Sequence, residues 1–248
     1  MSKSNYFKGL CVAVALLAAG LNANAQQFET SIYLNGIFPM GQFRQAYEYN
    51  PTSEISFMPM DRTTVATSAA VGLAATGRFG VWFDVGFGQL LPFVEAGLFW
   101  NGTRSSIRDI YDNNDTNIVA GDVPRTPTYL NIPIMLGLKY RYDITDIIRP
   151  FFEFGIGYDL MFITKNGYLN SNVEPYKDKW YAYKMDGKLC WSVGAGTYLG
   201  EYVSVGLYYA GLGSHHLNYT KKVTADYNAG HTEKRNIGEL GLRVGFHF

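Results

Sequence analysis

Ser214, His215 and His216 are consecutive in this 248-residue chain, and a hydroxyl beside two imidazoles has the makings of a hydrolase. Residue types alone do not make the site: a base must reach the hydroxyl and an acid must orient the base. No local pattern supplies that acid, so Ser214-His215-His216 is expected to be a solvated loop segment. Asp112-Asn113-Asn114-Asp115 opens like a calcium loop, but Asn117 and Val123 stand where an EF-hand needs its glycine and its closing glutamate. Polar turn chemistry accounts for that run. Cys190 is left alone once Cys11 departs with the leader described below, so no intrachain disulfide can form. There is no phosphate loop and no zinc spacing. The expectation is no catalytic residue, no metal and no cofactor.

A larger set of charged residues runs the length of the chain: Glu29, Arg78, Glu95, Lys139, Arg141, Glu153, Asp159, Asp186, Lys188, Glu239 and Arg243, with His247 beside the last. Their meaning depends on the elements that carry them. Leu240, Leu242, Val244, Phe246 and Phe248 alternate with Glu239, Gly241, Arg243, Gly245 and His247, a period of two that marks a β-strand. The same alternation recurs upstream. It predicts eight strands, over about 28–39, 66–82, 92–101, 130–142, 152–162, 188–199, 203–209 and 239–248. The end of the second is open, because 79–87 reads either as its continuation or as a separate short strand. Long polar segments at 40–64, 103–128, 165–184 and 215–234 alternate with short connections, of which 143–149 and Gly200-Glu201 are the clearest. No repeat, low-complexity tract or linker interrupts this pattern, so one domain is expected.

One face of each strand is aliphatic and aromatic, with no ionised residue in its middle. The other holds the charges together with Gly72, Gly97, Gly137, Gly155, Gly157, Gly194, Gly196, Gly206, Gly241 and Gly245. A water-facing exterior favours long Lys and Glu over glycine, which weakens a strand. The lumen of a narrow eight-stranded barrel instead needs small residues and neutralised charge. The expected fold is therefore all-β, an eight-stranded antiparallel transmembrane β-barrel in an up-and-down meander, with its apolar face on lipid. The six acids and five bases on the inner face are then expected to pair into a network that fills the lumen. Pro133 removes a ladder hydrogen bond in mid-strand and is expected to mark a tolerated bulge.

The amino terminus agrees with that destination. Lys3 and Lys8 precede an apolar core over 9–20, and Ala23-Asn24-Ala25 is a small-x-small cleavage site. Residues 1–25 are expected to be a secretory signal peptide cleaved after Ala25, leaving 26–248 as the barrel domain. Twelve apolar residues are too few for a helix that crosses a bilayer, which needs about 20. Loss of two lysines tips the balance of 21 basic and 21 acidic residues slightly acidic, which is no nucleic-acid footprint. Aromatic residues at 16%, with 19 Tyr and 27 Gly, suit strands with interfacial girdles. A mean hydropathy of −0.08 excludes a polytopic helical membrane protein but not a barrel.

Tyr129-Leu130-Asn131-Ile132-Pro133-Ile134-Met135-Leu136-Gly137-Leu138-Lys139-Tyr140 resembles the aromatic-Leu-x-Ile-Pro-aliphatic strand of the PorT-like outer-membrane β-barrel family, proline included. Arg149-Pro150-Phe151-Phe152-Glu153-Phe154-Gly155-Ile156-Gly157 is similar to the strand that follows it there, and Trp191-Ser192-Val193-Gly194-Ala195-Gly196 continues the likeness. The resemblance covers the second half of the chain by motif and the first by pattern. It implies fold and location in the cell outer membrane of a Gram-negative cell, with no specific activity. The last strand also resembles the signal read by the outer-membrane barrel assembly machinery, with Phe246 and Phe248 as its aromatic residues and Arg243 as a departure from the strict form. Both termini are expected in the periplasm, with the long segments outside.

The function expected from these readings is non-enzymatic: a barrel displaying four long extracellular loops in a structural, adhesion or partner-binding role. The partners expected are outer-membrane lipid, the assembly machinery and an unidentified extracellular or periplasmic protein. A narrow pore for ions or small solutes is the alternative, and a loop-rim lipid or peptide hydrolase the third.

Overall fold

Alternating side chains let each strand satisfy its backbone sideways while presenting two chemically different faces, and closure of the sheet removes its edges. The computed structural model describes residues 27–44, 69–104, 126–145, 147–164, 166–167, 180–217, 219–222 and 233–248. Its elements are β1 (Gln27–Met40), a single 3-10 turn (Gly41–Phe43), β2 (Ala69–Asp84), β3 (Gln89–Thr103), β4 (Tyr129–Arg141), β5 (Ile148–Ile163), β6 (Asn166–Gly167), β7 (Trp180–Tyr183), β8 (Asp186–Leu199), β9 (Val203–Leu217), β10 (Tyr219–Lys222) and β11 (Glu233–His247). Eight of them close an antiparallel barrel in the order β1-β11-β9-β8-β5-β4-β3-β2. The eight-stranded up-and-down meander expected from the alternation is the observed fold. The first and last barrel strands seal it, from Ser31 opposite His247 to Met40 opposite Gly238. Phe248 completes the seam by exchanging backbone hydrogen bonds with Thr30, at 2.9 and 3.2 Å.

Several boundaries differ from the sequence reading. β2 is continuous to Asp84, so 79–87 holds no separate strand, and β3 begins at Gln89, three residues earlier than the pattern suggests. The turn between them closes with Val85 N–H on Gly88 O at 2.9 Å. Pro133 makes no bulge. Ala96 opposite Ile134 and Phe99 opposite Asn131 keep one register, and Pro133 itself pairs with Asp159 on β5. The strand tolerates the missing N–H by leaving a gap in one ladder without slipping.

One register shift falls between Ala69 and Gly72 at the start of β2, and a bulge lies in β9. Ile237 on β11 faces Gly213, but Gly238 faces Gly211, so Leu212 is the extra residue. Gly213 takes φ +99, a left-handed conformation that side chains other than glycine rarely adopt. Before the bulge Tyr208, Ala210 and Leu212 point inward; after it His215 does. Also unforeseen is a small sheet of order β10-β7-β6, which ties the β5–β8 connection to the β9–β11 connection through Tyr219 opposite Tyr183 and Lys222 opposite Trp180.

The interior is stratified. Toward the end with the long connections, Ile37, Phe99, Tyr129, Met161, Leu212 and Ile237 pack together, capped by Phe43 of the 3-10 turn, whose ring meets Tyr129 edge-on at 5.3 Å. Toward the short-turn end, Trp82, Leu91, Phe93, Phe151 and Tyr198 form a second cluster. Charges occupy the layer between. Outside, Ile32, Leu34, Leu73, Val94, Leu98, Ile134, Leu138, Phe154, Ile156, Leu207 and Leu242 are all exposed. Among the described outward positions of the barrel strands, only Lys234, at the long-connection end of β11, carries a Lys, Arg, Asp or Glu.

Candidate functional site in the barrel lumen

Parity along each strand decides which charges enter the bore, and strand tilt decides which of them meet. Arg78 (β2) and Arg243 (β11) each bridge both Glu95 (β3) and Glu153 (β5). Arg78 reaches Glu95 at 2.6 Å and Glu153 at 2.7 Å; Arg243 reaches them at 3.1 and 2.8 Å. Two guanidinium forks and two carboxylates thus form a closed four-membered cycle spanning the bore, the charge-assisted geometry in which arginine outperforms lysine. Aromatic rings wall it: Arg78 lies 3.7 Å over Phe93, Arg243 lies 3.9 Å over Tyr208, and both are 4.7 Å from the Tyr33 ring. Arg243 also donates Nε–H to Asn35 at 2.8 Å. Lys139 completes the layer, donating to the Tyr33 and Tyr198 hydroxyls at 2.9 and 3.1 Å with Glu153 at 3.6 Å.

Below the cycle, Glu29 collects donors. Ser31 Oγ and Trp82 Nε1 each donate to it at 2.8 Å, and the Tyr198 hydroxyl lies 3.2 Å away. His247 places Nδ1 3.0 Å from Glu29 and Nε2 2.8 Å from Ser204 Oγ. Ser204, His247 and Glu29 therefore have the connectivity of a hydroxyl–imidazole–carboxylate relay, assembled from β9, β11 and β1. Ser204 is only 1% exposed, and the Tyr198 ring lies against His247 at 4.5 Å, tilted by 38°, so a substrate carbonyl has no approach to Oγ. Arg141, at the short-turn end, pairs with Asp143 at 3.1 Å, bonds Gln89 and lies 4.3 Å over Trp82.

Above the cycle the arrangement overturns one expectation. His215 is not a solvated loop residue; it is wholly buried, with Nε2 2.9 Å from Leu212 O and 3.1 Å from Asp159. The bulge at Leu212 turns His215 inward and sends Ser214 to the outer face, which separates the hydroxyl from the imidazole that a rim hydrolase would need. Asp186 accepts the His216 backbone N–H at 2.6 Å and lies 3.5 Å from Lys188. Glu239 is 1% exposed, and neither of its carboxylate oxygens has a hydrogen-bond partner among the described residues. Cys190 is a buried free thiol within the upper apolar cluster. No group of three or more His, Cys, Asp or Glu among the described residues could hold a metal ion.

All eleven charged candidates thus lie on the inner face, but in separate groups: the Arg78–Glu95–Arg243–Glu153 cycle with Lys139, Glu29 with His247, Arg141 with Asp143, Asp159, Asp186 and Lys188 above, and Glu239 outside these groups. Phe246 and Phe248 stand exposed on the outer face at the short-turn end, the same end as Tyr140, Tyr142 and Phe152 but on the far side of the barrel from them. Ala25, the Asp112–Asp115 run and most of the four long segments lie outside the described residues.

The fold and lumen define a class: a small closed eight-stranded antiparallel barrel with a charged, plugged interior. Solved structures of similar overall form include three outer-membrane barrels. Neisserial surface protein A aligns at 7% identity over 90% of this chain and 98% of that one, TM-score 0.38. Ail of Yersinia pestis, in complex with a heparin analogue, aligns at 8% over 90% and 97%, TM-score 0.39. The outer membrane enzyme PagL aligns at 16% over 89% and 98%, TM-score 0.34. At these identities and scores the roles of those proteins do not carry over to this chain. No family model and no curated protein matches the chain, so the PorT-like resemblance rests on its strand motifs.

Proposed function

We propose that residues 26–248, after removal of 1–25, form a non-enzymatic, non-conducting barrel of the cell outer membrane that displays four long connections from one end. The exposed apolar belt supports membrane insertion, since lipid tolerates apolar side chains and excludes unpaired charge. The observation that carries the functional reading is the Arg78–Glu95–Arg243–Glu153 cycle. It spans the bore, is itself nearly solvent-free, and leaves no single-sign pathway for an ion. With the interior sealed, recognition falls to the connections, in a structural, adhesion or partner-binding role with an extracellular or periplasmic protein partner. Phe246 and Phe248 serve as the signal for the barrel assembly machinery, and the strand motifs ally the chain with PorT-like barrels.

The test is electrical. Purified barrel in planar bilayers is expected to give no reproducible single-channel steps, because eight strands leave an interior just wide enough for side chains to fill. Regular ohmic steps from the unmodified protein would establish the pore reading instead.

A further inference from the structure

Between the end of β1, the 3-10 turn, β9 and β11 lies a hollow of about 430 Å³, whose lining includes Met40, Gln42, Ser214 and Asn236. Its lining also holds a cross-strand glycine pair, Gly211 opposite Gly238. Two outward aromatics occupy the space over those glycines: a Cβ on Gly211 would come within 2.5 Å of Trp191 Nε1, and one on Gly238 within 2.7 Å of the Tyr209 hydroxyl. Trp191 and Tyr209 pack at 5.4 Å and form the lower wall. Missing side chains on both strands, at the level of the β9 bulge, thus let the two rings sit against the backbone beside the hollow.

The chemistry changes sharply along the barrel axis here. Below the hollow the outward residues of β9 and β11 are Tyr209, Leu207, Leu240 and Leu242, all apolar or aromatic. Above it come Ser214 opposite Asn236, then His216 opposite Lys234. Lys234 and Arg44, which ends the 3-10 turn, are both exposed at the upper edge. The turn is fastened there by the Asn236 N–H, which donates to Gln42 Oε1 at 3.1 Å. Asp186 approaches this edge only behind His216, 3.8 Å from its Nδ1.

An apolar slot that opens upward onto cations, on a lipid-facing wall at the aromatic level, is complementary to one kind of molecule. We propose that the hollow binds a membrane lipid with a phosphate-bearing headgroup: an acyl chain against Met40, Trp191 and Tyr209, and the phosphate by Lys234 and Arg44, with Ser214 and Asn236 as hydrogen-bonding groups. The inference rests on the membrane reading above and adds a specific lipid site to it. Cations beside an interface attract anionic headgroups, and the recess beside the two rings supplies a shape that bulk lipid contact does not require.

The experiment is native mass spectrometry of the folded barrel released from detergent, with phosphatidylglycerol and a diacylglycerol of identical chains as probes. Heat-modifiable migration after incubation with vesicles is scored in parallel. One phosphatidylglycerol per barrel is expected to survive activation that strips diacylglycerol. Ser214→Phe, which fills the hollow from an outward position, should abolish that adduct. Lys234→Ala should weaken phosphatidylglycerol about fivefold while leaving diacylglycerol unchanged. Val205→Phe, on the same wall well below the hollow, should keep the adduct. Equal retention of both lipids, or an adduct that persists in Ser214→Phe, overturns the site while insertion stands. A barrel dimer in place of the lipid adduct assigns the hollow to a second copy and also overturns it. A chain that never inserts into vesicles overturns the membrane reading and the site together.

Discussion

Arg78 and Glu153 meet across the bore, Nη1 to Oε2 at 2.7 Å, although β3 and β4 stand between their strands in the barrel wall. The contact joins positions 75 residues apart that share no ladder. It acts as a strut, and the cycle it belongs to makes the interior a single coupled charge layer. Removing one member leaves an excess carboxylate in a space with almost no water. Arg243→Ala is therefore expected to destabilise the barrel by about 3–5 kcal/mol, read as a lower urea midpoint in refolding into micelles. A shift within error would mean that the lumen hydrates freely.

The same chemical change should have opposite signs at two buried glutamates. Glu153→Gln removes the charge that three cations share, and should lower stability by about 3 kcal/mol. Glu239 is as deeply buried but accepts no hydrogen bond among the described residues, so Glu239→Gln deletes a desolvated charge without breaking a pair. That variant should match or exceed the parent in a thermal unfolding scan. Equal losses at both positions would show that Glu239 has a partner of its own.

How far the sequence reveals this site depends on which physical rule is in play. Parity places Arg78, Glu95, Glu153 and Arg243 on the inner face, because a strand has only two faces and one of them is apolar. Parity does not say who meets whom, since partners across a bore depend on tilt and stagger, which no single strand encodes. The relay of Ser204, His247 and Glu29 escapes notice for that reason: its members come from three strands, and only the closing register of Ser31 opposite His247 brings two of them together. His215 is misread as solvated because the bulge resets the alternation. The signal for it is present in Gly211-Leu212-Gly213, two glycines around an inward leucine just before the pattern changes phase. Pro133 errs the other way, a rule-breaking residue that the ladder absorbs with no shift at all.

The buried relay gives a prediction against catalysis. Ser204 Oγ is aligned on His247 but sealed beneath Tyr198, so a fluorophosphonate probe should not label the folded barrel. Ser204→Ala should instead cost about 1–2 kcal/mol, the usual penalty for leaving a buried hydrogen-bonding group unmatched. Labelling that disappears in Ser204→Ala would establish a lumenal hydrolase and retire the non-enzymatic reading.

Orientation can be checked on intact cells. A cysteine at Arg44, exposed at the long-connection end, should react with a membrane-impermeant maleimide, whereas one at Thr145 in the β4–β5 turn should not. Cysteines at Asn114 and Asn228, outside the described residues but in two of the long connections, should label with Arg44. Reversed accessibility would place the short turns outside.

The final prediction concerns Phe248, which is 74% exposed yet fixes the seam of the barrel through its backbone. Its N–H and C=O both pair with Thr30, so the residue closes the last rung between β11 and β1 while its ring lies at the short-turn rim with Phe246. Phe248→Ala keeps the rung and removes only the ring; deletion of Phe248 removes both. If the ring is the feature the assembly machinery reads, both variants should lose most heat-modifiable barrel from the outer membrane and accumulate as periplasmic aggregate or fragments. If the seam hydrogen bonds matter more, Phe248→Ala should insert normally and only the deletion should fail. Purified deletion variant refolded into micelles, away from any machinery, separates the two further: a stability loss of about 1–2 kcal/mol for two lost edge hydrogen bonds is too small to prevent folding there. Failure in cells combined with success in micelles would locate the defect in recognition, and normal insertion of both variants would show that Phe248 is not part of the signal.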